Sequence, residues 1–217
     1  MRLVARVRHL LGQAWLATRR RGSLDYWESR YRLGMTSGSG STGELAKFKA
    51  RVLNDFVREN GVRTVIELGC GDGMQLALAD YPRYLGVDVS RTAIDLCRQR
   101  FASDATKSFL WQGCPDRDAH AALPSADLAL SLDVIYHLLE DEVYRRYMGG
   151  LFGAAERYVI IYSSNCEDVV SAAHVRHRMF LRDVEADFPE FRLQRKIANI
   201  LPSRSFADFY VFSRHGR

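Results

Sequence analysis

Val65-Ile66-Glu67-Leu68-Gly69-Cys70-Gly71-Asp72-Gly73 carries an apolar, β-rich run directly into a glycine-rich turn. Glycines at 69, 71 and 73 admit backbone angles closed to other residues and let a ligand approach the main chain. A strand, such a turn and then a helix over 72–79 make a nucleotide-binding turn. The dinucleotide fingerprint needs its third glycine at position 74, where this chain has Met74, so a pyrophosphate on the helix end is disfavoured. No Gly-Lys-Ser or Gly-Lys-Thr occurs, which removes the Walker loop.

Outward from that turn the pattern alternates. Strands are expected over Thr64 to Leu68, Tyr84 to Val87, Ser108 to Trp111, Leu128 to Leu132 and Tyr158 to Tyr162, with helices over Thr92 to Phe101 and about 140 to 152. Strands separated by single helices imply right-handed parallel crossovers and an α/β, doubly wound sheet. The last two runs, about 191 to 199 and 206 to 213, have no helix between them and read as an antiparallel hairpin at the sheet edge. Before the turn, residues 44 to 60 read as a helix with Leu45, Phe48, Val52, Phe56 and Val57 inward. Ser23 is placed to cap a short helix bearing Tyr26, Trp27, Arg30 and Tyr31, and Ser37 to Gly43 form a Gly-Ser loop or lid. Residues 1 to 21 have Leu3, Val4, Val7, Leu10, Leu11, Ala14 and Trp15 at helical spacing with arginines between them. That is a cationic amphipathic helix without the continuous apolar run of a secretion signal.

The Glu-x-Gly-x-Gly-x-Gly run after a hydrophobic strand resembles the first motif of class I S-adenosylmethionine-dependent methyltransferases. Leu85-Gly86-Val87-Asp88-Val89-Ser90 resembles their second, and Asp127 through Leu132-Asp133-Val134-Ile135-Tyr136-His137 is similar to their fourth strand and the loop after it. The resemblance implies a seven-stranded, mostly parallel Rossmann-like sheet with an antiparallel C-terminal hairpin. The domain covers residues 23–217, includes a helical and Gly-Ser cap over 23–60, and follows the helix at 1–22. It implies S-adenosylmethionine as cofactor. Glu67 would hold the methionine ammonium, Gly69, Cys70, Gly71, Asp72 and Gly73 would line the cofactor, and Asp88 with Val89 would meet the ribose. Asp133 would sit near the methionine portion, and either Gln112 or Asp116 would read adenine. Asp25-Tyr26-Trp27-Glu28-Ser29-Arg30-Tyr31 is similar to the capping segment of small-molecule methyltransferases, so Tyr26, Trp27 and Arg30 are expected to border the cleft.

The family's reaction is an in-line displacement that asks the protein mainly for alignment and exclusion of water. A hydroxyl acceptor also benefits from a base, for which His137 with Asp133 is the candidate, against a packing histidine as the alternative. Tyr136, His137, His174, Arg176, His177 and Arg178 are the candidate acceptor-binding set, with Arg176 and Arg178 as a cationic wall for an anionic acceptor. His174 and His177 would share a helix face, but without a third ligand no metal is assigned.

The net charge of +5 over 217 residues favours anionic partners without separating nucleic acid, phospholipid and phosphorylated metabolites. No stretch of about 20 apolar residues exists to span a bilayer, and four dispersed cysteines without a Cys-x-x-Cys pair fit a reducing cytoplasm. The resulting expectation is a methyltransferase, O-methyl transfer favoured, acting on a sugar, sugar-nucleotide or glycan intermediate of the kind found in bacterial surface-polysaccharide biosynthesis. Residues 1–21 are expected to pack on the domain or a dimer partner, to touch the inner membrane surface, or to form a mobile extension. An RNA or protein methyltransferase is the alternative within enzymes; no Asn-Pro-Pro-Tyr-type motif follows the fourth strand, which argues against base amino groups and leaves ribose and rRNA targets open, with nucleic acid the less expected partner. A non-catalytic cofactor-binding subunit is the alternative outside them.

Overall fold

Odd and even positions of the central strands point to opposite faces, and both faces are apolar, so the sheet must be covered twice. The computed structural model describes residues 22–113, 123–167, 172 and 174–215. In chain order these form α1 (Ser23–Arg32), α2 (Gly43–Glu59), β1 (Thr64–Leu68), β2 (Arg83–Asp88), α3 (Arg91–Arg100), β3 (Lys107–Trp111) and β4 (Ala126–Leu132). They continue with α4 (Asp141–Gly153), β5 (Ala155–Ser163), α5 (Phe180–Asp187), β6 (Phe191–Ile197) and β7 (Asp208–Arg214).

The seven strands form one sheet in the order β3-β2-β1-β4-β5-β7-β6. The first five are parallel, and β7 runs antiparallel between β5 and β6. Every residue of β4 is buried, as a central parallel strand covered on both faces requires. Val65, Leu128, Leu130, Ile160, Phe209 and Val211 meet Phe48, Leu53, Phe56 and Val57 of α2 and Ile94 of α3 on one face. Their neighbours Ile66, Ala129, Val159, Ile161, Tyr210 and Phe212 meet Met148, Leu151 and Phe152 of α4 and Phe180 and Val184 of α5 on the other. Strand order reverses between β1 and β4, and at such a switch point the flanking loops diverge and leave a crevice at the carboxyl ends of the strands.

Three local expectations are corrected. Residues 72–79 do not open an α-helix: a turn leads to a single 3₁₀ turn at Leu76–Leu78. There α2 takes over the hydrogen bonding, since Gln75 Nε2 donates to the Ala46 carbonyl, Asn54 Nδ2 to the Leu78 carbonyl and the Asp80 amide to Asn54 Oδ1, while Pro82 disfavours helical backbone before it. Residues 174–179 are a turn and irregular chain rather than a helix, held beside 136–141 by the Arg176 amide on the Tyr136 carbonyl. Ser23 is the first residue of α1 rather than its cap, and its amide and hydroxyl both donate to Glu140. The amphipathic segment 1–21 lies outside the described residues. Among the described residues no helix is long and apolar enough to cross a membrane.

Candidate active site

The turn after β1 is held by the strand beside it. The amides of Gly69 and Cys70 donate to the Val87 carbonyl at 2.7 and 3.1 Å, and that of Gly71 to Asp88 Oδ2 at 2.9 Å. Gly69 and Gly71 have φ of 81° and 58°, and a side chain on either would collide: at Gly69 with Val134 Cγ2 2.5 Å away, at Gly71 with Ser37 Oγ and the Tyr31 hydroxyl. Both glycines line the crevice, with Val134, Ser37 and Tyr31 packed against the turn. Gly73 is glycine for the same kind of reason, with φ of 73° and a Cβ position that would strike Phe101 and Cys97 of the α3 region.

Asp88 ends β2 inside the crevice. Its other oxygen accepts the Ser90 amide at 2.8 Å, and burial, only partly offset by these bonds, raises its pKa to about 6. Glu67 accepts the Tyr84 hydroxyl at 2.7 Å, and burial raises its pKa to about 7. Both acids line a cavity of about 330 Å³, inside the size range of small-molecule sites. Gly69, Cys70, Gly71, Val89, Gln112, Trp27, Asp133 and His137 line it as well. Asp72 faces away, receiving the Ser37 amide and hydroxyl and the Met74 amide, and so ties the Gly-Ser loop to the turn. Asp116 lies outside the described residues.

At the mouth, α1 lies across the cavity. Trp27 meets the His137 ring edge-on at 4.9 Å between centroids. His137 Nδ1 is 3.0 Å from the His174 carbonyl oxygen, which can only accept, so Nδ1 carries the proton and Nε2 is left with its lone pair. Burial pushes the pKa of this ring down to about 4, and the imidazole is neutral at physiological pH. Asp133 has φ of 59°, unusual for a residue with a side chain, and accepts the Tyr136 hydroxyl and Lys49 Nζ at 2.6 Å each.

The remaining sequence candidates frame the cavity without lining it. Tyr26 stacks on His174 at 4.9 Å, and Arg30 reaches the Thr36 carbonyl while covering Trp27. His177 Nδ1 is 2.5 Å from Ser164 Oγ. Arg176 and Arg178 form no cationic wall: both pair with Asp141, and both donate to backbone carbonyls at 138–139, bracing the loop that carries His137. Among the described residues, no three potential metal ligands cluster.

Sequence reasoning missed Lys49 and Gln75, and gave Tyr31 and Glu28 of the capping segment no role of their own. Lys49 carried a signal, a charge four residues from both Leu45 and Leu53 on the inward face of α2. Glu28 carried none. It receives the Ser90 hydroxyl and the Thr92 hydroxyl and amide, latching α1 to the start of α3; burial alone would raise its pKa, but these bonds hold it below the usual value. Glu28→Ala is expected to speed release of a ligand held in the cavity beneath α1 about tenfold, the worth of one charge-assisted hydrogen bond, in a stopped-flow displacement measurement. An unchanged off-rate would show that α1 does not retain the ligand.

Residues 66–152 match the family model described as a methyltransferase domain. No curated protein sequence matches the chain. The structure of magnesium protoporphyrin IX methyltransferase from Synechocystis PCC 6803 with bound S-adenosylhomocysteine is similar with a TM-score of 0.64, at 17% identity over 88% of this chain and 97% of that one. N-methyltransferase NodS from Bradyrhizobium japonicum WM9, also with S-adenosylhomocysteine, gives 0.61 at 15% identity over 78% and 86%. An O-methyltransferase family protein from Burkholderia thailandensis gives 0.58 at 17% identity over 79% and 57%. At these identities the likeness is one of fold, and the sheet here shares it, with β7 antiparallel between β5 and β6.

Proposed function

We propose that this chain is an S-adenosylmethionine-dependent methyltransferase that methylates a hydroxyl of a small uncharged acceptor, a sugar or glycan intermediate. The cofactor fits the residues present. Gly69, Cys70 and Gly71 line the cavity where an adenosyl ligand would approach the turn, and Asp88 offers a carboxylate for ribose hydroxyls on the same wall. When bound, the cofactor supplies an electrophilic methyl on sulfur; transfer forms the C–O bond and breaks the C–S bond.

One observation carries the hydroxyl reading, the tautomer of His137. The His174 carbonyl holds the proton on Nδ1, burial keeps the ring neutral, and Nε2 of this cavity-lining residue keeps a lone pair to take a hydroxyl proton. Trp27 closes over that ring and helps exclude water. With Arg176 and Arg178 engaged on Asp141, an uncharged acceptor is favoured over a phosphorylated one. Single-turnover transfer of a labelled methyl group to a panel of neutral glycosides, sugar nucleotides, amines and RNA tests this. The label is expected on a sugar oxygen, and label confined to amines or RNA overturns the acceptor assignment.

A further inference from the structure

Two rows of rings leave His137 on the cavity wall. In the first, His137 stacks on His174 at 5.4 Å with planes 11° apart, and His174 stacks on Tyr26 at 4.9 Å and 12°, so ring faces are spent on one another. In the second, His137 meets Tyr136 at 4.6 Å, Tyr136 meets His177 at 5.9 Å and His177 meets Phe206 at 6.4 Å, with planes 62°, 40° and 86° apart. Tilted and edge-on contacts leave ring faces uncovered. Exposure rises along this row: Tyr136 and His177 are half-buried, and Phe206 is 68% exposed.

The outer members are held in place. Phe206 stands two residues before β7, whose Asp208 pairs with Ser163 at the carboxyl end of β5, the end of the sheet at which the crevice opens. Ser164 Oγ is 2.5 Å from His177 Nδ1, and burial pushes the pKa of that ring down, so it is uncharged at physiological pH. The loop that carries Phe206 closes on buried Asn199: its Oδ1 accepts the Leu201 amide at 2.9 Å, its Nδ2 donates to the Ser205 carbonyl at 3.0 Å, and its amide donates to Asp208 Oδ1 at 2.9 Å. These bonds fix the loop while Ile200 and Phe206 stay exposed. A scattered exposed apolar side chain needs no explanation, but one braced from below and joined by rings to the cavity does. An open π face, negative at its centre, suits the slightly positive C–H face of a sugar ring. With Tyr136 and His177 between them, Phe206 stands apart from His137, where it meets a neighbouring unit of the acceptor rather than the one being methylated.

We propose that Phe206, backed by His177, is a platform for a second sugar unit, and that the acceptor is an oligosaccharide or longer glycan rather than a free monosaccharide. This rests on the acceptor reading above. Contact at the distal unit supplies binding energy that holds the reacting hydroxyl at His137.

Methyl glycosides of glucose, mannose, galactose and rhamnose, each as the monosaccharide and as the linear trisaccharide, are the probes, and the readout is the ratio of kcat/KM for trisaccharide over monosaccharide of the sugar that takes up label. The ratio is expected to be about ten in the unaltered protein and about one in Phe206→Ala, the worth of one ring contact. Phe206→Trp, which keeps a ring, should keep the ratio, and Phe206→Leu, which keeps only apolar bulk, should lose it. Leu110→Ala, on the exposed edge strand β3, should leave it unchanged and serves as the control for exposed apolar residues. Affinity for S-adenosylhomocysteine within about twofold in each variant shows that it is folded. A ratio of one in the unaltered protein, or an undiminished ratio in Phe206→Ala, overturns the platform. An undiminished ratio together with lost binding to phosphatidylglycerol vesicles assigns the loop, with its exposed Arg204, to a membrane surface instead. Label on no glycoside at all defeats the acceptor reading, and this proposal with it.

Discussion

Asp88→Asn is expected to weaken binding of S-adenosylhomocysteine and of 5′-methylthioadenosine alike, each by about 100-fold, because the carboxylate grips the half of the ligand they share. Asp88 accepts the Gly71 amide on one oxygen and the Ser90 amide on the other. Asparagine keeps one acceptor and turns an NH₂ group toward one of those two N–H donors, so the substitution loosens the glycine turn as well as the ribose site. The pH dependence has a sign. Burial raises the Asp88 pKa from 3.8 to about 6, so the ionised acid is available to ribose hydroxyls above about pH 6 and affinity should fall as pH drops through that value. The same shift means that this group costs the fold stability progressively between about pH 4 and 6, where the unfolded chain has released a proton that the folded chain retains. Titrations of both ligands from pH 5 to 8 check the binding limb, which Asp88→Asn should flatten. Undiminished affinity in the variant would place the ribose elsewhere.

How much of this was legible in the sequence depends on how far apart the cooperating residues lie. The turn from Glu67 to Gly73 could be read because its requirements are local: a strand enters it, and backbone angles at 69 and 71 exclude side chains. The alternation of strands and helices likewise gave the doubly wound sheet, and β1 has the expected limits, Thr64–Leu68. Residues 72–79 misled because helix-forming Leu76, Ala77 and Leu78 look helical in isolation, whereas hydrogen bonds to Ala46 and Asn54 of α2 decide their conformation. Arg176 and Arg178 looked like ligand-binding cations, and only the fold reveals that Asp141, over 30 residues away, engages both. Glu28 and its partners are 62 and 64 residues apart, and Lys49 and Asp133 are 84 apart. Composition gives the residue types at such a site, but not the direction in which each side chain is spent.

His137→Asn should lower turnover about 100-fold and leave S-adenosylhomocysteine affinity within about threefold, at the lower end of what a positioned base contributes. Asparagine can still offer an N–H toward the His174 carbonyl, which His137 Nδ1 now meets at 3.0 Å, but it has nothing where Nε2 stands. His137→Gln inverts the test by extending a polar group toward the Nε2 position. A ring with a pKa of about 4 is a weak base, and its value lies in being neutral, oriented and close to dry rather than in proton affinity. At saturating cofactor, His137 should therefore contribute no limb near pH 6.5, the ordinary histidine value, and activity should be lost through this group only as pH approaches about 4. Two results count against the assignment. Equal turnover in His137→Asn would mean that the acceptor hydroxyl needs no base here, and a parallel fall of turnover and cofactor affinity would make His137 a brace for Trp27, which it meets at 4.9 Å. Selective loss of turnover is the outcome that the fixed tautomer requires, because Nε2 is the one ring nitrogen that the described structure leaves for the acceptor.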